Sequence, residues 1–160
     1  MFFGYLISRL ELITKKKKNN HIPVGINIIV TMIIDFTLIK GDYSIYRFNI
    51  DSAIPMWVYD SDFYSVTRTQ DELSIVCKNV DITMDANIKT DKHWRILKIN
   101  GLLDLSLVGI IAKISYLFKE NKIPIFTIST FDTDYILVKN QDLNKTMTVL
   151  NNAGHKIFIK

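Results

Sequence analysis

Trp94-Arg95-Ile96-Leu97-Lys98-Ile99, followed at once by Asn100-Gly101, is the stretch on which the reading of this chain turns. Apolar and basic residues alternate through it, so it reads as a β-strand, and Gly101 breaks it. Beyond the glycine, Leu107, Ile110, Ile111, Ile114, Leu117 and Phe118 recur at three- and four-residue spacing, which gives a helix one apolar face. Asp104 or Ser106 is placed to cap that helix, because a short side-chain oxygen accepts from the free N–H groups of a first turn. Asn121 and Pro124 end it. Residues 125–130 and 135–138 read as two strands, joined by a turn over 131–134. Asp142 opens a second helix with Leu143, Met147 and Leu150 on one face, and Gly154 closes it. Residues 155–159 make a last strand, so the order is β-α-β-β-α-β.

That order is the split βαβ, ferredoxin-like unit: an α+β fold in which an antiparallel four-stranded sheet carries two helices on one face. Upstream, the pattern is less regular. Residues 36–39 and 43–48 are strand-like around Gly41-Asp42, and Pro55-Met56-Trp57 suggests a short helix or turn. Residues 63–68 and 73–77 form a hairpin, and 79–92 reads as a polar connector with room for an extra strand. A shift of 62 residues lays 63–73 over 125–135 without a gap, apolar on apolar and hydroxyl on hydroxyl, with Glu72 on Asp134. The halves therefore read as a tandem repeat whose first copy is degenerate, divided as 32–90 and 91–160.

The charge is distributed unevenly. The formal net charge of the 160 residues is +4, and Arg9 and Lys15 to Lys18 against Glu11 account for all of it. The body is neutral, which argues against a general polyanion binder. The lysines follow an apolar stretch instead of preceding one, the reverse of a secretory signal. No apolar run reaches the roughly 20 residues of a membrane span. Residues 1–31 are expected to be an N-terminal extension outside the fold, poorly ordered, set by the choice of an upstream start. The single Cys77 sits in an apolar run and cannot form an internal disulfide, so it reads as a buried thiol of a cytoplasmic protein. His21, His93 and His155 are dispersed, no nucleophile or metal motif occurs, and the six glycines make no phosphate loop. Neither an enzyme nor a cofactor is expected, and the aromatics form no RNA-binding strand motif.

The segment 100–110, Asn100-Gly101-Leu102-Leu103-Asp104-Leu105-Ser106-Leu107-Val108-Gly109-Ile110, resembles the loop and helix start of an ACT domain. Ile125-Phe126-Thr127-Ile128-Ser129-Thr130-Phe131-Asp132-Thr133-Asp134-Tyr135-Ile136-Leu137-Val138 resembles the hairpin of the same domain. Gly41-Asp42-Tyr43 and the segment Ser65-Val66-Thr67-Arg68-Thr69-Gln70-Asp71-Glu72-Leu73-Ser74-Ile75-Val76-Cys77 resemble the first half of bacterial tandem-ACT proteins. Those proteins are related to the aspartate kinase regulatory domain and to the CASTOR arginine sensors. Leu102-Leu103 departs from the Gly-Pro-Leu more usual in that loop. The resemblance implies a non-catalytic sensor that binds an amino acid or related metabolite between paired domains, as a homodimer, and regulates a separate enzyme. It implies no nucleic-acid and no membrane partner.

The residues themselves suit such a ligand. A zwitterion needs acceptors for its ammonium and donors for its carboxylate. Gly101, Leu103, Asp104, Ser106 and Leu107 make one wall of the expected site. Ile128, Ser129, Thr130, Phe131, Asp132 and Asp134 make the other, with Ser65, Val66 and Thr67 of the first half as an alternative. Helix capping by Asp104 and Ser106, and ordinary turn chemistry for Asp132 and Asp134, are the competing structural roles. A ligand-free dimerisation or docking module is the competing function, and behind it stands a nucleic-acid binder acting through the Lys15 to Lys18 run.

Overall fold

The computed structural model describes residues 11–12, 30–31, 33–81, 88–101 and 108–159. Two residues each of β1 (Glu11–Leu12) and β2 (Val30–Thr31) pair antiparallel. These are the parts of the expected N-terminal extension that are described, and they carry a strand pairing. The rest of that extension lies outside the described residues.

The main sheet is built on β3 (Asp35–Phe48), followed by a 3₁₀ turn (Met56–Asp60), β4 (Ser65–Arg68), β5 (Leu73–Lys78) and β6 (Lys89–Ile99). Then come α1 (Ile110–Glu120), β7 (Ile125–Ser129), β8 (Asp134–Lys139), α2 (Leu143–Asn152) and β9 (Lys156–Ile159). The strands run in the order β4-β5-β3-β6-β8-β7, with β9 also on β3. The antiparallel sheet and the two helices expected for the second half are present. Its last strand has a different neighbour, however. In a free-standing βαββαβ unit β9 would flank β6. Here the start of β3 lies between them, with Phe36 opposite Ile99 on β6 and Ile157 on β9. The β3–β9 pairing is parallel, so the sheet has seven strands and is not a closed four-stranded unit.

The two short strands expected around Gly41-Asp42 are one long strand. It keeps its pairing with β6 through two bulges, between Ile39 and Tyr43 and between Tyr43 and Ile45. Gly41 carries φ +133°, a conformation that side chains resist, and this lets the extra residues be absorbed without ending the strand. On its other edge β3 changes partner, from β9 along 35–38 to β5 along 43–48. A domain boundary between residues 90 and 91 falls inside β6, which is itself continuous from one half to the other.

The two hairpins have the same register. Ser65 faces Val76 and Arg68 faces Leu73 in the first; Phe126 faces Leu137 and Ser129 faces Asp134 in the second. Their turns close alike, with Thr69 N–H donating to Glu72 O at 2.9 Å and Thr130 N–H to Thr133 O at 2.9 Å. The structural offset is therefore 61 residues, one fewer than the sequence alignment. On the central strands the partners of Lys78 and Lys139 are Tyr43 and Trp94, an offset of 51, and these two aromatics face each other across β3 and β6.

Side chains alternate across the sheet, so each strand serves two faces. Phe36, Leu38, Leu97, Ile99, Ile136 and Val138 meet Ile110, Ile114 and Phe118 of α1 and Leu150 of α2 in one core. On the same face Tyr46, Phe48, Leu73, Ile75 and Cys77 pack with Val58 of the 3₁₀ turn. Cys77 is fully buried and its thiol is pushed up to about 11 by that burial, as expected of a structural cysteine. Helix α1 starts later than its apolar spacing suggested. Its N-cap is Gly109, at φ +85°, and the expected capping residues Asp104 and Ser106 lie outside the described residues.

His155 ties the chain's two ends of the core together. Its buried Nδ1 accepts the Ile34 N–H at 3.0 Å, and its ring meets Phe36 edge-on. Burial, and next the charge of Lys113, hold its pKa below the usual value, with Asp35 opposing. Because the folded value is the lower one, its contribution to stability is complete above the unfolded value of about 6.5 and is lost as pH falls through the folded value. Thermal unfolding at a series of pH values is expected to show stability falling below about pH 6.5, before the carboxylates titrate. In His155→Asn that early loss is expected to disappear.

Candidate functional site

The end of β6 and the β7–β8 turn meet in the structure. Thr133 is buried, and its Oγ1 donates to the Ile99 carbonyl at 2.7 Å. Thr130 Oγ1 donates to Thr133 O at 2.8 Å, which closes the turn from within. Asn100 is held from the other side: its N–H donates to Asp35 O, and its Oδ1 accepts from Thr37 Oγ1 at 2.7 Å. Gly101 follows at φ +98°. The turn is thus fixed against the point where the chain leaves β6.

Of the residues expected to form the site, Gly101, Ser129, Thr130, Phe131 and Asp132 are exposed, and Ile128 and Asp134 are half-buried. Phe131 projects from the turn, 81% exposed. Leu103, Asp104, Ser106 and Leu107 lie outside the described residues. Ser65, Val66 and Thr67 lie on β4, at the opposite edge of the sheet from β7. On one face of the sheet, however, Phe63, just before β4, meets the Tyr135 ring of β8 with 4.8 Å between centroids.

The first half holds a feature that the sequence reading passed over. A cleft of about 460 Å³ opens at the end of β3, lined by Arg47, Asn49, Ser52 and Asp71 with Phe48, Ile50 and Ile88. Arg47 Nε donates to Glu72 Oε2 at 2.7 Å, and its Nη2 donates to the Asp71 carbonyl at 3.2 Å.

Among the described residues no group of three or more His, Cys, Asp or Glu is placed to hold a metal ion. No helix among them is long and apolar enough to cross a membrane.

Residues 89–152 match the ACT domain family. Residues 41–85 match a second family described as an N-terminal domain. A protein of Agobacterium tumefaciens, known from its X-ray structure, is 37% identical, with 80% of this chain and 94% of that one covered and a TM-score of 0.71. The chain belongs to that protein's family. The regulatory subunit of aspartate kinase from Thermus thermophilus, in its ligand-free form, shares the fold at 10% identity, with 74% of this chain and 96% of that one covered and a TM-score of 0.52. Aspartate kinase from Clostridium acetobutylicum is 13% identical, with 71% of this chain and 33% of that one covered and a TM-score of 0.55. No curated protein sequence matches the chain.

Proposed function

We propose that this protein is a non-catalytic regulatory protein that binds a small amino acid or related metabolite and acts on a separate enzyme. The observation that carries the reading is the ACT match over 89–152, which spans the segment where Thr133 fastens the β7–β8 turn to the end of β6. In this reading Asp104 and Asp134 accept from the ligand's ammonium. Ser106 and Ser129 donate to its carboxylate, and Gly101 lets the backbone approach. The two halves are tandem ACT-like units, the first carrying only the short 3₁₀ turn where the second has α1. A homodimer would cover the open edges of β4 and β7.

A thermal-shift screen against the twenty amino acids tests this. A ligand of the native state must raise its stability, by about 2.7 kcal/mol at a hundred times Kd. For a chain of this size that is roughly 5–10 °C. The shift is expected with at least one amino acid, and Asp134→Ala is expected to lose it while keeping the fold. A flat screen favours the ligand-free docking module instead.

A further inference from the structure

The two offsets that relate the halves of the sheet also relate two places at its ends. With 51 on the central strands, Arg47 and Asn49 fall on Lys98 and Asn100, and Ser52 falls on Leu103. With 61 on the hairpins, Asp71 falls on Asp132. The cleft at the end of β3 is therefore the first-half counterpart of the loop-and-turn wall at the end of β6.

We infer that the cleft lined by Arg47, Asn49, Ser52 and Asp71 is a second amino-acid site, selective for a zwitterion with a small apolar side chain. The inference rests on the ligand-binding reading above and adds a location to it. Its volume of about 460 Å³ lies within the ~300–1,000 Å³ of small-molecule clefts. Its charged lining residues are balanced: Arg47 stands against Asp71, with Arg47 also bonded to Glu72 and Arg68 Nη2 donating to Ser52 O at 2.7 Å. A simple anion or a simple cation meets a neutral site, whereas a zwitterion brings one charge for each sign. The bonds of Arg47 to Glu72 and to the Asp71 carbonyl take two of its five N–H groups and orient the rest, so donors remain for a carboxylate. The Asp71 carboxylate is an acceptor for the ammonium, and Phe48, Ile50 and Ile88 supply an apolar wall.

The test is a ¹H–¹⁵N correlation spectrum of the full chain, titrated with each of the twenty L-amino acids into the millimolar range. Perturbed amides at Asn49, Ser52 and Asp71 are expected with a small apolar amino acid. Arg47→Gln and Asp71→Asn are each expected to weaken that binding about tenfold or more, since each removes a charge-assisted bond. The spectra of the variants report directly that they are folded. Perturbations confined to Thr130–Asp134 would overturn this inference and leave the proposed function standing. A spectrum unmoved by every amino acid would overturn both. Equal perturbation by acetate or by methylamine would overturn the selectivity for a zwitterion.

Discussion

Phe36→Ala is expected to destabilise the protein by about 3–5 kcal/mol, the range for truncating a fully buried Phe. Phe36 has no solvent exposure, lies between β6 and β9, and packs in the core that holds Ile114, Phe118 and Leu150. Its loss is therefore felt by both helices, although it belongs to the first half of the chain. Phe131→Ala, at the exposed turn, is the control and is expected to stay within about 0.5 kcal/mol of the parent. The same geometry predicts that residues 88–160 alone do not fold cooperatively. That fragment lacks Ile34, Phe36 and Leu38 from its core and the strand that separates β6 from β9. Urea unfolding of the fragment decides the point. A cooperative transition, with β9 moved against β6, would contradict the account.

Gly41→Ala is expected to be the costliest of the substitutions at the described glycines. A Cβ at Gly41 would stand 3.1 Å from the Tyr43 ring, and the backbone there has φ +133°. Backbone strain of this kind costs of order 1–3 kcal/mol. Tyr43 is itself fully buried opposite Trp94, so its ring cannot swing away without disturbing the centre of the sheet. Gly154 separates the two effects. It has φ +86° but nothing within 4 Å of a Cβ, so Gly154→Ala carries the strain alone, about 1–2 kcal/mol. Chemical denaturation of both variants is expected to rank Gly41→Ala below Gly154→Ala. Equal stability would mean that the ring yields at no cost.

The elements whose side chains repeat at a fixed spacing could be read from the chain alone. The hairpin of β7 and β8, the α1 face through Ile110, Ile114 and Phe118, and the end of α2 at Gly154 all follow local periodicity. What was not legible is set by contacts distant in sequence. Nothing local in Lys156–Ile159 says that its partner is Asp35–Leu38 and not β6. The start of α1 was misplaced for a different reason. Leu107 continues the apolar spacing of Ile110 and Ile114, while the end of the helix is decided by the backbone of Gly109, which periodicity does not report. The alignment of the two hairpins by sequence differs by one residue from the offset that their strand pairing gives.

The candidate site was legible to a similar degree. The sequence picked out the β7–β8 turn, and Thr133 explains why it is held against β6. It also offered Ser65–Thr67, on β4, as an alternative wall. The cleft beside Arg47 went unseen because its lining comes from β3, the β4–β5 turn and Ile88, which only the folded sheet brings together.

The central claim is that the chain binds an amino acid. Equilibrium dialysis of the full-length protein against an equimolar mixture of the twenty amino acids, with quantification of what is retained, tests it most directly. The account predicts retention of at least one amino acid, in stoichiometric proportion and with a Kd between about 1 μM and 1 mM, or roughly −8 to −4 kcal/mol. Retention of none at millimolar concentration would contradict it.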